Sequence, residues 1–279
     1  GFKIQLFESR HHSKNDTGNH KPRLRLPPEL KLLKTNNFSL EEASFNYRDS
    51  SASENDQIVL KKFSFAVDSL LLDSSDNYDR IRQSIANHAQ IGGRSFTLNL
   101  SSLKHKLEFD SLFFSARQGK INAENMQIEP IKDHKPSATG NIGSFKMNGF
   151  DLQDFVNKQK LLCESLTVDH ADLLFEAEQK SKNKDSSFRL KYFYFDSLQF
   201  TKSKLKINVY KADNIRFSFD SGLDIFLNAF AIDTNLSAGE NPIELAFAQL
   251  SLTRPLLVSQ DKFRLSSDML DFNSGEGFI

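Results

Sequence analysis

The residues from Ser95 to Phe114 read SFTLNLSSLKHKLEFDSLFF, and this stretch decides the fold class. Phe96 and Leu98 alternate with polar residues, and after a polar interruption Leu107 and Phe109 do the same. A period of two is typical of antiparallel strands that have one apolar and one polar face. Parallel strands between helices would instead show continuous apolar runs, which this sequence lacks.

The same alternation recurs along the chain, and phenylalanine suits a half-buried pleated surface. We therefore predict a mainly β protein: an elongated, twisted antiparallel sheet built from repeated strand pairs. Two stretches with helical spacing, Asp76–Gln90 and Asp151–Lys160, predict two short helices within it. The further alternating stretches are Phe63–Val67, Leu205–Val209, Ile215–Phe219 and Ile243–Phe247.

A short phrase repeats. Phe109–Phe114 reads FDSLFF, Phe195–Phe200 reads FDSLQF, and Val67–Leu72 is a looser copy, VDSLLL. We interpret each copy as a strand, a polar corner residue and a further strand, so that the sheet extends unit by unit. Asp followed by Ser is good turn chemistry, and a residue that recurs in every unit, as Asp110 and Asp196 do, is not expected to be catalytic.

The predicted organisation has two parts. Residues 1–32 contain an N-terminal strand and a polar segment, and residues 33–279 form the repeated sheet. A polar, turn-rich stretch at 132–143 predicts an irregular segment and a pseudo-repeat boundary.

Composition excludes several classes of protein. The 279 residues include 36 Lys+Arg and 36 Asp+Glu, so the strongly basic surface of a nucleic-acid binder is not expected. Cys163 is the single cysteine, which excludes a disulfide scaffold and favours a small buried filler. The sequence lacks nucleotide-binding and nucleophile-elbow motifs. We predict no catalytic residue, no metal site and no cofactor.

Two clusters resemble metal sites superficially. His11, His12 and His20 fit no closed zinc spacing, and a polar tail explains them better. The segment Asp73–Asp79, DSSDNYD, lacks the glycine and glutamate of an EF-hand loop, and helix capping accounts for its carboxylates.

Several strand pairs resemble units of AsmA-like proteins: Leu33–Leu40 with Ala43–Tyr47, and Leu162–Val168 with Ala171–Phe175. Gly149–Phe155 is similar to the short helix-then-strand insertion of that family. The resemblance spans roughly Leu33 to Phe272 and rests on pattern rather than on a catalytic or ligand motif. It implies a long curled sheet with an apolar groove, in a membrane-anchored protein of the Gram-negative envelope that moves or organises lipids.

On this resemblance we expect a non-enzymatic protein of the periplasm or cell envelope, anchored through a segment absent from this chain. Its expected partner is lipid or a membrane surface and not nucleic acid, and its protein partners are not indicated. The residues predicted to face lipid are Phe63, Phe65, Val67, Phe96, Leu98, Phe109, Ile215, Phe217 and Phe219.

Two other interpretations stay open. The phenylalanine-rich face is equally compatible with a closed core, in a β module that binds glycan or protein through exposed loops such as 132–143. A hydrolase with paired carboxylates is formally compatible as well, although nothing in the sequence pairs two of them.

Overall fold

The structure is a computed structural model of the chain. It describes residues 3–4, 32–49, 56–73, 88–100, 104–131, 137–178, 192–211, 214–233, 243–259 and 263–276.

These residues form fourteen strands of a single sheet. The strands are β1 (Lys3–Ile4), β2 (Leu32–Asp49), β3 (Asp56–Asp73), β4 (Ala89–Leu100), β5 (His105–Ser115), β6 (Lys120–Pro130), β7 (Ser137–Asn148), β8 (Lys160–Glu178), β9 (Tyr192–Lys211), β10 (Asn214–Asp233), β11 (Ile243–Glu244), β12 (Phe247–Ser259), β13 (Phe263–Ser266) and β14 (Met269–Asn273).

The strands from β1 to β10 follow one another across the sheet in chain order, and β12 follows β10. β11 pairs with β10, while β13 and β14 both pair with β12. The prediction of a mainly β, elongated sheet is confirmed. The sheet is mixed, however, because β8 pairs with β9 in parallel and β1 pairs with β2 in parallel. The alternation did not predict these two parallel pairs.

A line of left-handed residues crosses the sheet, and we call it the bend line. Its members are non-glycine residues with φ between 47° and 58° inside otherwise extended strands. Such a backbone conformation costs about 1–3 kcal/mol per residue and persists only where its surroundings fix it. On β2, β3, β4, β6, β8, β9 and β12 the members are Glu42, Lys62, Ser95, Asn125, His170, Lys202 and Arg254.

Neighbouring members lie level or nearly so in the pairing register. His170 and Lys202, for example, both fall between the pairs Asp169–Thr201 and Asp172–Lys204. The register between β2 and β3 and between β3 and β4 also shifts close to this line. Such β-bulges increase the local twist and bend a strand. The bend line therefore divides the strands that it crosses into two arms.

The alternation of apolar residues changes phase at the bend line. On β3, Ile58 and Leu60 precede Lys62 at even positions, whereas Phe63 and Phe65 follow it at odd positions. In a regular strand, even and odd positions point to opposite faces, so the apolar residues of the two arms would lie on opposite sides of the sheet. The left-handed residue rotates the chain between the two sets, so that both arms present their apolar residues to one face.

The repeated Asp-Ser phrases are not corners, so that interpretation is wrong. Asp110 lies in the middle of β5, Asp196 lies in the first part of β9, and Asp68 lies within β3. The Nδ2 of Asn125, on the bend line, donates a hydrogen bond to the Oδ2 of Asp110 at 2.8 Å. Asp196 falls between pairs that flank Ala229, a further left-handed residue on β10. The phrase marks changes of phase within continuous strands rather than turns.

Two other segments differ from the sequence predictions. Residues 137–143 form the first half of β7, so the irregular segment predicted there is wrong, and residues 132–136 lie outside the described ranges. Ile243–Phe247 is interrupted between β11 and β12, where the Ala246 N–H donates to the Asn228 carbonyl. The pseudo-repeat boundary and the division at residues 32/33 stay predictions.

The two predicted helices are unconfirmed. A π-helical turn at Asp154–Lys158 falls inside the second, and the Asp151 carboxylate accepts a hydrogen bond from the Asp154 N–H at 2.9 Å, as a cap would. The turn ends at once, because Gln159 is left-handed and β8 begins at the next residue. Residues 76–87 of the first helix lie outside the described part, and its last two residues belong to β4. A 3-10 turn follows β14 at Ser274–Glu276.

The core belongs to a single layer. Among the described elements, those in substantial contact are hydrogen-bonded neighbours in the sheet, apart from the two helical turns against β8 and β12. Phe96 is nevertheless only 1% exposed, and it packs with Phe109 and Ala123 on neighbouring strands of the same sheet. A flat sheet would leave such a ring open on one side. We infer that bending at the bulges folds the apolar face towards itself.

Candidate functional site

The candidate site is the apolar face, which consists of rows of directly paired residues. Partners in register point to the same side of a sheet. One row crosses ten strands from β2 to β12 without a polar residue, and we call it the first apolar row. Its members are Leu40, Phe65, Ile91, Phe114, Ile121, Met147, Leu166, Leu198, Leu227 and Ala248.

A second apolar row lies beside it, nearer the bend line, and crosses eleven strands. Gly93 is the only member without an apolar side chain. The row ends on β14. Its members are Ala43, Phe63, Gly93, Leu112, Ala123, Phe145, Val168, Phe200, Ile225, Leu250 and Phe272.

Gly93 occupies its place in the second row because β3 approaches β4 too closely for a side chain. A Cβ atom at this position would lie 2.6 Å from the Lys62 carbonyl oxygen and 2.6 Å from the Phe63 Cα. Both atoms belong to backbone at the bend line and cannot move aside like a flexible side chain. The glycine therefore permits the close strand contact on which the bend depends.

The nine residues predicted to face lipid fall into two groups. Six lie together on β3, β4 and β5, and three lie on β10. In the first group, Val67, Phe96 and Phe109 are buried at 0%, 1% and 8% exposure, so a ligand cannot reach them without opening the sheet. In this conformation the three side chains pack in the core, and their role as lipid contacts stays a prediction. The half-buried members of this group are Phe63, Phe65 and Leu98.

The second group is more accessible. Ile215 is 44% exposed, and Phe217 and Phe219 are half-buried. Phe219 belongs to a row on the outer arms of the strands that runs through Phe175, Ile207, Phe219, Leu257 and Leu265. Two members of this row are strongly exposed: Phe175 at 42% and Leu265 at 58%. Part of the apolar face thus lies open on the outer arms of β8 to β13.

The largest cluster of buried residues lies on β7 to β9, which the sequence prediction did not include. Phe195 and Leu198 pack there with Met147 and Cys163, and Leu152 and Phe155 of the helical segment pack against them. The repeated phrase at Phe195–Phe200 was the available signal, but it was interpreted as a corner rather than as part of the face.

Cys163 behaves as the small buried filler that was predicted. Its Sγ lies 3.0 Å from the carbonyl oxygens of Asn148 and Ser165. Burial raises the pKa of the thiol, and the two backbone contacts oppose this only in part. The group is therefore protonated at neutral pH, which does not suit a nucleophile.

The opposite face carries a polar row along the bend line. Lys61, Arg94, Ser111, Glu124, Ser144, Asp169 and Thr201 are paired in sequence across seven strands. The Ser144 hydroxyl donates to Glu124 at 3.2 Å, and the Thr201 hydroxyl donates to Asp169. The bond from Thr201, followed by the one with His170, lowers the pKa of Asp169. These bonds stabilise the carboxylates on the solvent side of the bend.

Within the described part of the chain, no group of three or more His, Cys, Asp or Glu side chains is placed to hold a metal ion. His11, His12, His20 and the segment Asp73–Asp79 lie largely outside that part. Among the residues that the structure describes, no helix has the length and apolarity that crossing a bilayer requires.

No protein family, curated protein or solved structure matches this chain. The resemblance to AsmA-like proteins therefore stays a prediction.

Proposed function

We propose that the apolar face binds lipid acyl chains, and that the protein transports lipids or organises a membrane in the cell envelope. The observation that carries the proposal is the pair of apolar rows that cross ten and eleven strands of one layer. An ordinary core needs only enough apolar surface to cover its partner layer. Here the rows extend from β2 to β12 and from β2 to β14, and the described elements supply no partner layer for them.

The accessible part of the face has the chemistry that an acyl chain needs. Phe175 and Leu265 are about half exposed in the same row, with half-buried Phe219 between them. Covering roughly 200 Å² of such surface would contribute about 5 kcal/mol before the entropic cost of binding. A contiguous exposed apolar patch with a polar rim is a typical interaction site. An acyl chain, which forms no hydrogen bonds, can lie along a row without leaving a polar group unpaired.

The alternative of a glycan- or protein-binding module requires a closed core, and no contact among the described elements favours it. The proposal assigns no catalytic step. The periplasmic or envelope location, together with a membrane anchor outside this chain, belongs to the same proposal and rests on the resemblance alone.

The experiment compares two variants of β8. Phe175→Asp places a charge on the apolar face, and Leu174→Asp places the same charge on the other face, because successive strand residues point to opposite sides. Each protein is purified without detergent, and bound lipid is measured by native mass spectrometry and by titration with a fluorescent phosphatidylethanolamine. We expect the wild type and Leu174→Asp to bind lipid, and Phe175→Asp to lose most of that binding. Equal binding by the two variants, or a lipid-free wild type, would overturn the proposal.

A further inference from the structure

β13 and β14 together form one edge strand with a break in the middle. Both pair with β12 in the same register, which joins Leu257 to Leu265 and Leu252 to Leu270. The break at residues 267–268 lies opposite Arg254, the bend-line member on β12. The edge strand therefore has two arms, as the long strands have, and no other described strand pairs with it.

The backbone bonds at the break show which residues face outwards. The Ser267 N–H donates to the Pro255 carbonyl at 3.3 Å, and the Asp268 carbonyl accepts from the Arg254 N–H at 2.8 Å. Both residues at the break thus face β12. Alternate residues of a strand direct their N–H and C=O groups to alternate sides. Four residues therefore direct these groups away from β12: Arg264, Ser266, Met269 and Asp271.

The edge also carries exposed apolar side chains. Phe263, Leu265 and Leu270 are 51%, 58% and 47% exposed, and all three continue rows of the apolar face. Arg264 and Asp271 lie on the polar face, and neither forms an ion pair within the described ranges. The Met269 carbonyl accepts a hydrogen bond from the Ser267 hydroxyl at 3.0 Å, and its second lone pair can still accept from a strand partner. An apolar edge with which no further described strand pairs is a template for another strand.

We infer that this edge pairs with the same edge of a second copy of the chain, in antiparallel orientation, about a two-fold axis between Ser267 and Asp268. In this register Arg264 of each copy faces Asp271 of the other, and Leu265 faces Leu270. The outward backbone groups match as well, because Arg264 meets Asp271 and Ser266 meets Met269. Each contact forms twice, as an isologous interface requires.

Complementary charges and apolar side chains favour a second copy of the chain as the partner, and they favour this register. A shift by one residue sets Arg264 opposite Leu270, whose side chain lies on the other face. A shift by two residues sets Leu265 opposite Asp268 in one direction and Leu270 opposite Ser267 in the other, and both shifts separate Arg264 from Asp271. In the proposed register each odd-numbered residue faces an even-numbered one. Apolar side chains meet because the apolar positions are odd-numbered in β13 and even-numbered in β14. The two-fold axis is perpendicular to the sheet, so the apolar faces of both copies turn to the same side and form one continuous surface.

Charge exchange tests the inference without lipid, and so independently of the proposed function. Arg264→Asp and Asp271→Arg each set like charges opposite one another twice, and we expect either variant to raise the dimer Kd about tenfold or more. The double variant restores opposite charges and should restore dimerisation. Arg216→Asp, an exposed change on β10, is the control. Sedimentation equilibrium measures the Kd, and circular dichroism confirms that each variant is folded.

Disulfide trapping tests the register itself. Leu265 and Leu270 face each other as a non-hydrogen-bonded pair, whose short Cα separation suits a disulfide. Leu265→Cys/Leu270→Cys should form covalent dimers on mild oxidation, whereas Leu265→Cys alone should not, since buried Cys163 is the only other thiol. A wild-type monomer at about 100 µM, failure of the charge-exchanged double variant to dimerise, or equal crosslinking by the single variant would overturn the inference.

Discussion

The middle of the sheet and its last strands share one sequence pattern but differ in accessibility. Phe96 on β4 is flanked by paired strands and lies beside the bend line, and it is buried. Leu265 on β13 follows the same alternation at the edge of the sheet, and it is more than half exposed. The difference shows that alternation places a residue on the apolar face, while its neighbours decide whether it is core or contact surface.

The largest expected effect comes from truncating a buried residue of the apolar face. Phe96→Ala should lower the free energy of unfolding by about 3–5 kcal/mol, because it removes a fully packed ring and leaves a cavity. Ile215→Ala, on the exposed side, should cost less than about 1 kcal/mol. Urea unfolding at equilibrium measures both. Similar losses in the two variants would contradict the division into core and surface.

Next in size is the close contact of strands at the bend line. Gly93→Ala should lower the free energy of unfolding by about 1–3 kcal/mol, because the new methyl group would meet the Lys62 and Phe63 backbone. Gly92→Ala is the matched control, since its Cβ would lie 3.5 Å from the Phe113 ring, in ordinary contact. A neutral Gly93→Ala would show that β3 and β4 are not held this closely.

Replacing a left-handed residue with glycine should have a smaller effect on the free energy of unfolding, and it should raise it. Lys62→Gly should raise the free energy of unfolding by about 0.5–1 kcal/mol, because glycine adopts positive φ without strain. Lys61→Gly, one residue earlier in extended conformation, should lower it by a similar amount. The same urea titration distinguishes them. A loss of stability in both variants would argue against a left-handed backbone at residue 62.

Much of the fold could be predicted from the sequence, but not the accessibility of the site. Alternation located β3, β4, β5, β9 and β10, because a half-buried strand must alternate. It could not reveal the parallel pairing of β8 with β9, since a strand has the same pattern in either direction of pairing. The phase change at Lys62 is visible in the sequence, but lysine is not a residue type that marks positive φ. The sequence pattern is the same at Phe96 and Ile215, because alternation does not encode how strongly the neighbouring strands bend around a residue.

The smallest expected effect concerns the polar side of the bend line. Since the folded-state pKa of Asp169 is lowered, its bonds stabilise the fold above the ordinary value of 3.8, and this contribution is lost as the pH falls through the lower folded value. Asp169→Asn should therefore lose less stability than the wild type when the pH is lowered through this range. Asp172→Asn, on the same strand, is the control. If the free energy of unfolding fell equally with decreasing pH in the wild type and in Asp169→Asn, the assignment would be refuted.

The most direct test of the central claim asks which face of the sheet touches acyl chains. A benzophenone amino acid is introduced in place of Phe175 or, on the opposite face, Leu174, and each protein is illuminated with lipid vesicles or in cells. Mass spectrometry then measures lipid attached to the protein. The account predicts lipid adducts at position 175 and few at position 174. Equal adducts at both positions, or none at position 175, would contradict it.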